Sequence, residues 1–425
     1  MIAKSRRARL SGRVSIPASK SHTIRALLLG ALADGVSVIR SPLESFDTRS
    51  AAAAVRALGA TVNNSGADWT VTGIAGKPQV PEDIIDVGNS GTTLYMIMGT
   101  AALADGWTVI TGDGQIRSRT AASLIDAYSG LGAELISTRG NGCAPLMIRG
   151  PLKGGECSIA SVTSQYLSSL LMACPFARGD SKITVTELNE SPYVYMTLDW
   201  LDYLGVKVTH APDLSSVTIS GGQTFGAFDR RIPGDFSSAA FPLCAAVLAG
   251  GTVTLDGLYM NDTQGDKAVI EILKDMGADI TIDGDELTVR GGALKGIEVD
   301  MNAIPDAIPM LSVIACFAEG TTVLGNVPQA RLKETDRIAV MAEELTKLGA
   351  KIEELPDGLI IHGGGLSGGT VCGHADHRIV MALTIAGFAA DGPISVDTAE
   401  AAGVTYPGFW ESMRSLGAEI ELTEE

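Results

Sequence analysis

The segment RALGATV, residues 56–62, ends a helical-looking run with Leu-Gly-Ala and opens a β-type run. The same device returns as SGLGAEL (129–135), DYLGVKV (202–208), KDMGADI (274–280), TKLGAKI (346–352) and RSLGAEI (414–420). Its glycines are Gly59, Gly132, Gly205, Gly277, Gly349 and Gly417, so successive copies lie 73, 73, 72, 72 and 68 residues apart. Spacing this regular marks six copies of one supersecondary unit. A Gly after an amphipathic run is the expected helix terminator, because it takes the left-handed conformation at no steric cost.

A second recurrence interleaves with the first. LADGVSVI, LADGWTVI, ARGDSKITV, LAGGTVTL, AEGTTVL and AADGPISV each join an Ala-rich helix to a strand. Each unit therefore reads helix, Gly, strand, helix, Gly, strand, with further strands between. Helices alternating with strands argue for α/β layers. Six units predict two domains of three units each, with pseudo-threefold symmetry, helices inside and sheets outside.

Composition agrees with a globular chain. Of 425 residues, 45% are apolar and 19% charged, which excludes a disordered chain. Length alone predicts two or three domains. The 50 glycines show no period of three, which excludes collagen. The net charge of −17 repels phosphate backbones, so a nucleic-acid partner is not expected. Any anion must be held in a local basic pocket against that field. The six cysteines form no C-x-x-C pair and none sits at zinc-finger spacing from a His; buried, reduced thiols are expected. The basic start MIAKSRRARLSGRV lacks a following apolar run and does not read as a secretory signal. No run of 18 apolar residues exists, so no transmembrane helix is expected.

Seven segments put polar or basic residues at the start of an apolar helix. IPASKSHTIRALLLGALA (16–33) offers Lys20, Ser21 and Arg25, where unpaired N–H groups and the positive dipole end favour an anion. DVGNSGTTLYMIMG (86–99) offers Asn89, Gly91 and Thr92, and Gly91 would let a ligand approach the backbone. GDGQIRSRTAASL carries Arg117 and Arg119; it lacks the third Gly and the preceding strand of a dinucleotide fingerprint, and the chain has no P-loop. SVTSQYLSSLLMA clusters Thr163, Ser164 and Gln165, groups suited to a polyhydroxy ring or a phosphate. DMNAIPDAIPML places Asp306 beside a helix-starting Pro, where an N-cap role is the alternative. RLKETDRIAVMAEELTKLGA puts Lys333, Glu334 and Arg337 ahead of an apolar stripe of Ile338, Met341, Leu345 and Leu348. GHADHRIVMAL supplies Asp376, His377 and Arg378. Metal binding is not expected, because the five His form no H-x-x-x-H pair. Convergence of several such helix ends would concentrate positive potential in one place.

Taken together, PASKSHTIRALLLGALADG, DVGNSGTT, GDGQIRSR, TSQYLSSLLMA, PGDFSSAAF, PDAIPML, LKETDRI and DHRIVMAL resemble the 5-enolpyruvylshikimate-3-phosphate synthase family, in order and over nearly the whole chain. The resemblance implies an α/β (α+β) fold: a two-domain inside-out α/β barrel of six βαβαββ repeats. One domain would be residues 1–14 with 233–425 and the other 15–232, with the active site in the cleft between them. The implied reaction moves the enolpyruvyl group of phosphoenolpyruvate to the 5-hydroxyl of shikimate 3-phosphate and releases phosphate, a step toward chorismate and the aromatic amino acids. Shikimate 3-phosphate would be held by Lys20, Ser21, Arg25, Thr163, Ser164, Gln165, Asp306, Gln329 and Lys333. Phosphoenolpyruvate would be held by Lys20, Gly91, Arg119, Gln165, Arg337 and Arg378, since the planar guanidinium fork grips carboxylate and phosphate. Asp306 would act as base and Glu334 as acid, with Lys20 assisting proton transfer. No metal or organic cofactor is implied, and the partners would be two small anions met by a cytoplasmic monomer.

Three departures stand out. Many relatives carry an Arg after NSGTT that contacts the ring, where this chain has Tyr95. Many carry a Lys that contacts phosphoenolpyruvate, where this chain has Val404 in VTYP. Some carry S-R-x-H where this chain has ESPYVY, which makes Tyr193 a candidate contact and leaves Glu190 and Ser191 open. Arg117 is a candidate substitute for a missing cation. Two other readings remain: enolpyruvyl transfer to UDP-N-acetylglucosamine, for which Cys143 in NGCAPL would be the reactive thiol, and an anion-binding pseudoenzyme.

Overall fold

The structure, a computed structural model, describes residues 1–424. The chain forms two compact units, one of Met1–Pro17 with the segment from Pro233 onward, the other of Ala18–Ile232. The first boundary falls three residues later than the one the family resemblance implied. Ser15 still pairs in a strand with Asp256, and Pro17 C=O accepts from Asp235 N, so backbone hydrogen bonds hold residues 15–17 to the first unit.

Each unit contains three four-stranded sheets. Their plan is shared. In the sheet of Ile85–Asp86, Trp107–Thr111, Leu146–Arg149 and Glu134–Ser137, the first two strands run parallel and the rest antiparallel. Two strands complete sheets far from them in sequence. Leu10–Ser15 runs parallel to Gly251–Asp256, and Asp229–Arg231 runs parallel to Val36–Arg40. Ile2–Ser5 lies between Ile394–Val396 and Ile420–Thr423, antiparallel to both.

Among the described residues twelve α-helices connect these strands. In the Ala18–Ile232 unit they are α1 (Lys20–Leu32), α2 (Phe46–Ala57), α3 (Gly91–Ala101), α4 (Ala122–Gly130), α5 (Ser164–Ala173) and α6 (Ser191–Tyr203). In the other unit they are α7 (Phe236–Ala249), α8 (Ala268–Met276), α9 (Ile308–Phe317), α10 (Arg337–Lys347), α11 (His377–Ala386) and α12 (Phe409–Ser415). The even-numbered helices each end at a repeat glycine. All six of these glycines have positive φ, from +74° at Gly205 to +110° at Gly277, the conformation in which a Cβ is strained.

The odd-numbered helices are apolar all round and form the centre. Every residue of α3 and of α11 is buried, as expected for helices without a polar face. In one unit α3 packs on α1 and α5; in the other α7, α9 and α11 pack on one another. Strands show one buried face and one wet face. Ser37 and Ile39 point inward, while Val36 and Arg40 are exposed, the alternation of a sheet covered on one side. The architecture is thus helices inside and sheets outside, three repeats to a unit. No described helix is long and apolar enough to cross a membrane. All six thiols are free, but Cys157 and Cys372 are only half-buried. Cys157 lies on a partly exposed strand, Gly155–Ser161, which corrects the expectation of six buried thiols.

Candidate active site

The plan of the fold puts five of the seven motifs at the N-terminal ends of the central helices α1, α3, α5, α9 and α11, and the other two ahead of α4 and α10. In the Ala18–Ile232 unit, Ser19 caps α1 and its Oγ accepts from His22 N. Lys20 begins the helix, and its Nζ lies 2.9 Å from Asp47 Oδ2, with the two side chains 14% and 6% exposed. Asp47 stands in the first turn of α2, behind a capping box of Ser45 and Thr48.

One turn further along α1, Arg25 is 1% exposed. Its Nε donates to Thr197 Oγ1 at 2.8 Å, Nη1 to Ser21 C=O at 3.1 Å, and Nη2 to Ser168 Oγ at 3.3 Å and Tyr193 C=O at 2.9 Å. All four acceptors are neutral. Burial lowers the guanidinium pKa to about 10, with Tyr193 and Glu190 pulling the other way.

At α3, Ser90 caps the helix and accepts from Thr93 N at 3.3 Å. A Cβ on Gly91 would collide with Arg119 Nη1. The room that Gly91 leaves is therefore used by a guanidinium of the protein itself, not only by a ligand. Arg117 is exposed and donates to Gly112 C=O, so Arg119 is the arginine that this loop lays on the helix end. Asn89 ties the loop down through Asp113 at 2.5 Å and Gln115 at 2.8 Å. Tyr95 is buried, and its hydroxyl donates to Thr120 C=O at 3.0 Å. Tyr166 donates to the same carbonyl at 2.6 Å, and the two rings meet edge to face at 5.0 Å.

At α5, Thr163 and Ser164 meet a carboxylate. Glu190 Oε2 accepts from Thr163 Oγ1 at 3.1 Å, Ser164 N at 3.2 Å and Ser164 Oγ at 2.8 Å. Gln165 Oε1 is buried without a hydrogen-bond partner among the described residues.

The other unit holds a compact ion cluster. Arg337 is 1% exposed and uses three nitrogens. Nε donates to Asp376 Oδ2 at 2.9 Å and Nη1 to Asp306 Oδ1 at 2.8 Å. Nη2 donates to Glu334 Oε2 at 2.6 Å and Asp376 Oδ1 at 3.2 Å. Arg378 Nη2 reaches Asp306 Oδ2 at 3.1 Å, and Lys333 Nζ lies 3.8 Å from Asp306 Oδ1. Asp306 is not a helix cap: α9 is capped by Ala307 without a side-chain bond, and the Asp306 carboxylate is spent on cations instead. Burial raises its pKa, but Arg378, Lys333 and Arg337 outweigh burial and hold it far below the usual carboxylate range. For Arg337, burial lowers the pKa, while Asp376, Glu334 and Asp306 carry it above the usual arginine value. Lys333 and Glu334 precede α10, whose cap is Asp336. Gln329 stands apart from the cluster; its Nε2 donates to Asn302 C=O at 2.9 Å. Val404 is half-buried at the end of the 3₁₀ turn Ala399–Val404.

Four of the helix-start cations stand in ion pairs rather than bare. Lys20 meets Asp47, and Lys333, Arg337 and Arg378 meet Asp306, Glu334 and Asp376. Three cations against three carboxylates leave the cluster neutral, because a dry site tolerates charges only in compensated pairs. Asp47, Asp376 and Glu190 are the residues that motif reading left out of the site. Asp376 carried a signal, standing next to His377 and Arg378 in one of the seven segments, but no site role was drawn from it. Cys143 is buried, and its thiol points at Ser118 C=O at 3.6 Å; it is not presented as a nucleophile.

Comparison with known proteins finds relatives along the length of the chain. The profile of the family EPSP synthase (3-phosphoshikimate 1-carboxyvinyltransferase) matches residues 4–413. A 3-phosphoshikimate 1-carboxyvinyltransferase of Ruminiclostridium cellulolyticum is 52% identical over 422 residues, covering 99% of this chain and 100% of the relative. One from Acetivibrio thermocellus is 52% identical over 424 residues, with all of both chains covered. The solved EPSP synthase from Acinetobacter baumannii superposes with a TM-score of 0.84 at 28% identity, over the full length of both chains. With two neutralised sets of helix-end cations on a six-repeat scaffold and similarity along its entire length, the chain belongs to the EPSP synthase family.

Proposed function

We propose that the protein transfers the enolpyruvyl group of phosphoenolpyruvate to the 5-hydroxyl of shikimate 3-phosphate, giving 5-enolpyruvylshikimate 3-phosphate and phosphate. The observation that carries this reading is full-length similarity at 52% identity to relatives named for that reaction. The ion cluster supplies chemistry of the right kind. In our reading Arg337 and Arg378 take the carboxylate and phosphate of phosphoenolpyruvate, aided by Lys20, Arg119, Gln165 and the open backbone at Gly91. Shikimate 3-phosphate lies against Ser21, Arg25, Thr163, Ser164, Gln329 and Lys333.

The proton steps follow from the electrostatics. Asp306, held low by its cations, is a weak base in the ligand-free cluster. An arriving anion that draws Arg378 and Nη1 of Arg337 toward itself releases that hold, and the Asp306 carboxylate becomes basic where the acceptor hydroxyl sits. Asp306 takes the hydroxyl proton, the oxygen attacks C2 of phosphoenolpyruvate, and Glu334, which takes up a proton from solvent as the substrates draw Arg337 away from it, passes that proton to the methylene carbon. The tetrahedral ketal collapses when that carbon returns a proton and the C–O bond to phosphate breaks. Lys20 offsets charge on the departing phosphate. The reading requires no metal or organic cofactor. It carries with it a cytoplasmic monomer that works on small anions and has no nucleic-acid partner.

The test is phosphate release on mixing the purified protein with both substrates, with UDP-N-acetylglucosamine as the rival acceptor. Release with shikimate 3-phosphate alone supports the reading. Release only with the nucleotide sugar, or with neither, rejects it.

A further inference from the structure

Glu190 puts a carboxylate oxygen where the proposed reading puts the acceptor's phosphate. Its Oε2 takes both hydroxyls and the Ser164 N–H at the start of α5, all within 3.2 Å. Those are the donors that a phosphate oxygen would need, and an N–H or O–H already given to a carboxylate is not available to a second anion. The carboxylate is no surface accident. Glu190 is 2% exposed, and its backbone is left-handed at φ 58° and ψ 39°, a region that ordinary side chains avoid. Ser191 and Pro192 start α6 directly after it, and Tyr193 N donates to its carbonyl at 3.0 Å.

A second observation is independent of that contact. The Arg25 guanidinium is sealed in the same unit and, among the described residues, donates only to neutral oxygens. A buried cation bonded to no carboxylate needs anionic charge close by. Glu190 is the carboxylate whose charge it feels.

We infer that Glu190 is an internal competitor for the acceptor's phosphate. It fills the α5 seat and balances Arg25 while the site is free, and it leaves that seat when a phosphate enters. The affinity for the acceptor is then set by exchange of one anion for another, and a neutral residue at position 190 removes the opposition. This inference rests on the acceptor assignment made above.

The test uses the full chain with Glu190→Gln and Glu190→Ser. The Gln variant keeps the shape and one carbonyl acceptor for the α5 cap, so it guards against loss of fold. Titration calorimetry with shikimate 3-phosphate is expected to show binding roughly 10- to 100-fold tighter in both variants, the scale of a charged hydrogen bond. Affinity for unphosphorylated shikimate should not rise, and the KM for phosphoenolpyruvate should stay level. Unchanged or weaker binding of shikimate 3-phosphate in both variants, with native melting curves, overturns the inference. If neither wild type nor variants turn over, yet the Gln variant binds shikimate 3-phosphate or inorganic phosphate more tightly, the enolpyruvyl-transfer reading fails while the competition stands.

Discussion

Arg337 grips Asp376 with two nitrogens: Nε donates to Oδ2 at 2.9 Å and Nη2 to Oδ1 at 3.2 Å, and the side chains are 1% and 0% exposed. The same carboxylate caps α11 by accepting from Arg378 N at 2.9 Å, and Thr335 Oγ1 donates to it at 3.0 Å. Asp376 therefore fixes the guanidinium whose Nη1 faces Asp306 and whose Nη2 also serves Glu334. It positions the cluster and is not proposed to touch substrate.

Removing that anchor should be costly. Asp376→Ala takes two of its four hydrogen bonds from a buried guanidinium and uncaps a helix, and breaking a buried pair costs about 3–5 kcal/mol. Urea denaturation at neutral pH measures it. Asp376→Asn keeps one oxygen for the cap and should lose less. An alanine variant as stable as wild type would show that Arg337 has another support.

Acid should release the Asp306 carboxylate from the cluster. Its folded pKa lies below the ordinary value of 3.8, because Arg378, Lys333 and Arg337 outweigh burial. A depressed carboxyl contributes stability that is fully present above the unfolded pKa and is lost as pH falls through the folded one. Wild type should therefore lose stability on going below about pH 4, and Asp306→Asn should lose it less steeply over the same range. Parallel curves for the two proteins would remove Asp306 from the account of acid stability.

Asp306→Ala and Glu334→Ala should each lower turnover by ~10²–10⁴, the range for loss of a general acid or base. Single-turnover experiments at saturating substrates separate this from weaker binding. Near wild-type turnover in either variant means that its proton role belongs elsewhere.

Gly91→Ala tests the seat of Arg119. The new Cβ would meet Nη1 of Arg119, and the helical backbone there tolerates a side chain. Arg119 should swing off the α3 end, and the KM for phosphoenolpyruvate should rise by about tenfold, the scale of a charged hydrogen bond. The melting temperature should hold. An unchanged KM would mean that Arg119 does not hold this substrate.

The repeats were legible because local physics writes them. A glycine with φ near +100° must follow each even-numbered helix, as at Gly59 and Gly417, and a central helix must be apolar all round. The cations at the helix starts were legible for the same reason, as Lys20 and Arg337 show. Their partners were not. Asp47 lies in the next helix of the same repeat, and Asp376 lies 39 residues beyond Arg337 in the following one, so only tertiary packing brings each pair together. Glu190 was noticed as a departure, but its contact with Ser164 depends on the turn that links α6 to the preceding strand. Sequence shows where charge is placed; it does not show which charge neutralises it.

Val404 offers a prediction about affinity rather than chemistry. The family resemblance implies a cation here, and this chain ends the turn Ala399–Val404 with an uncharged, half-buried residue, followed by the buried Thr405 and Tyr406. The cluster in the same unit is already neutral, so one more cation is not opposed by a net positive field. Val404→Lys can run its methylenes along the apolar turn and carry the ammonium outward, as long cationic side chains do. A charge-assisted hydrogen bond is worth roughly 1.5–3 kcal/mol, or about 10- to 150-fold in affinity. Ordering the new side chain costs up to ~2 kcal/mol of that, so the KM for phosphoenolpyruvate should fall by about tenfold at most. The KM for shikimate 3-phosphate should not move. Both constants are compared in wild type and variant at one ionic strength, and the gain should shrink as salt is added. If neither constant changes, the ammonium does not reach phosphoenolpyruvate; if the acceptor's constant rises instead, the VTYP turn serves the acceptor.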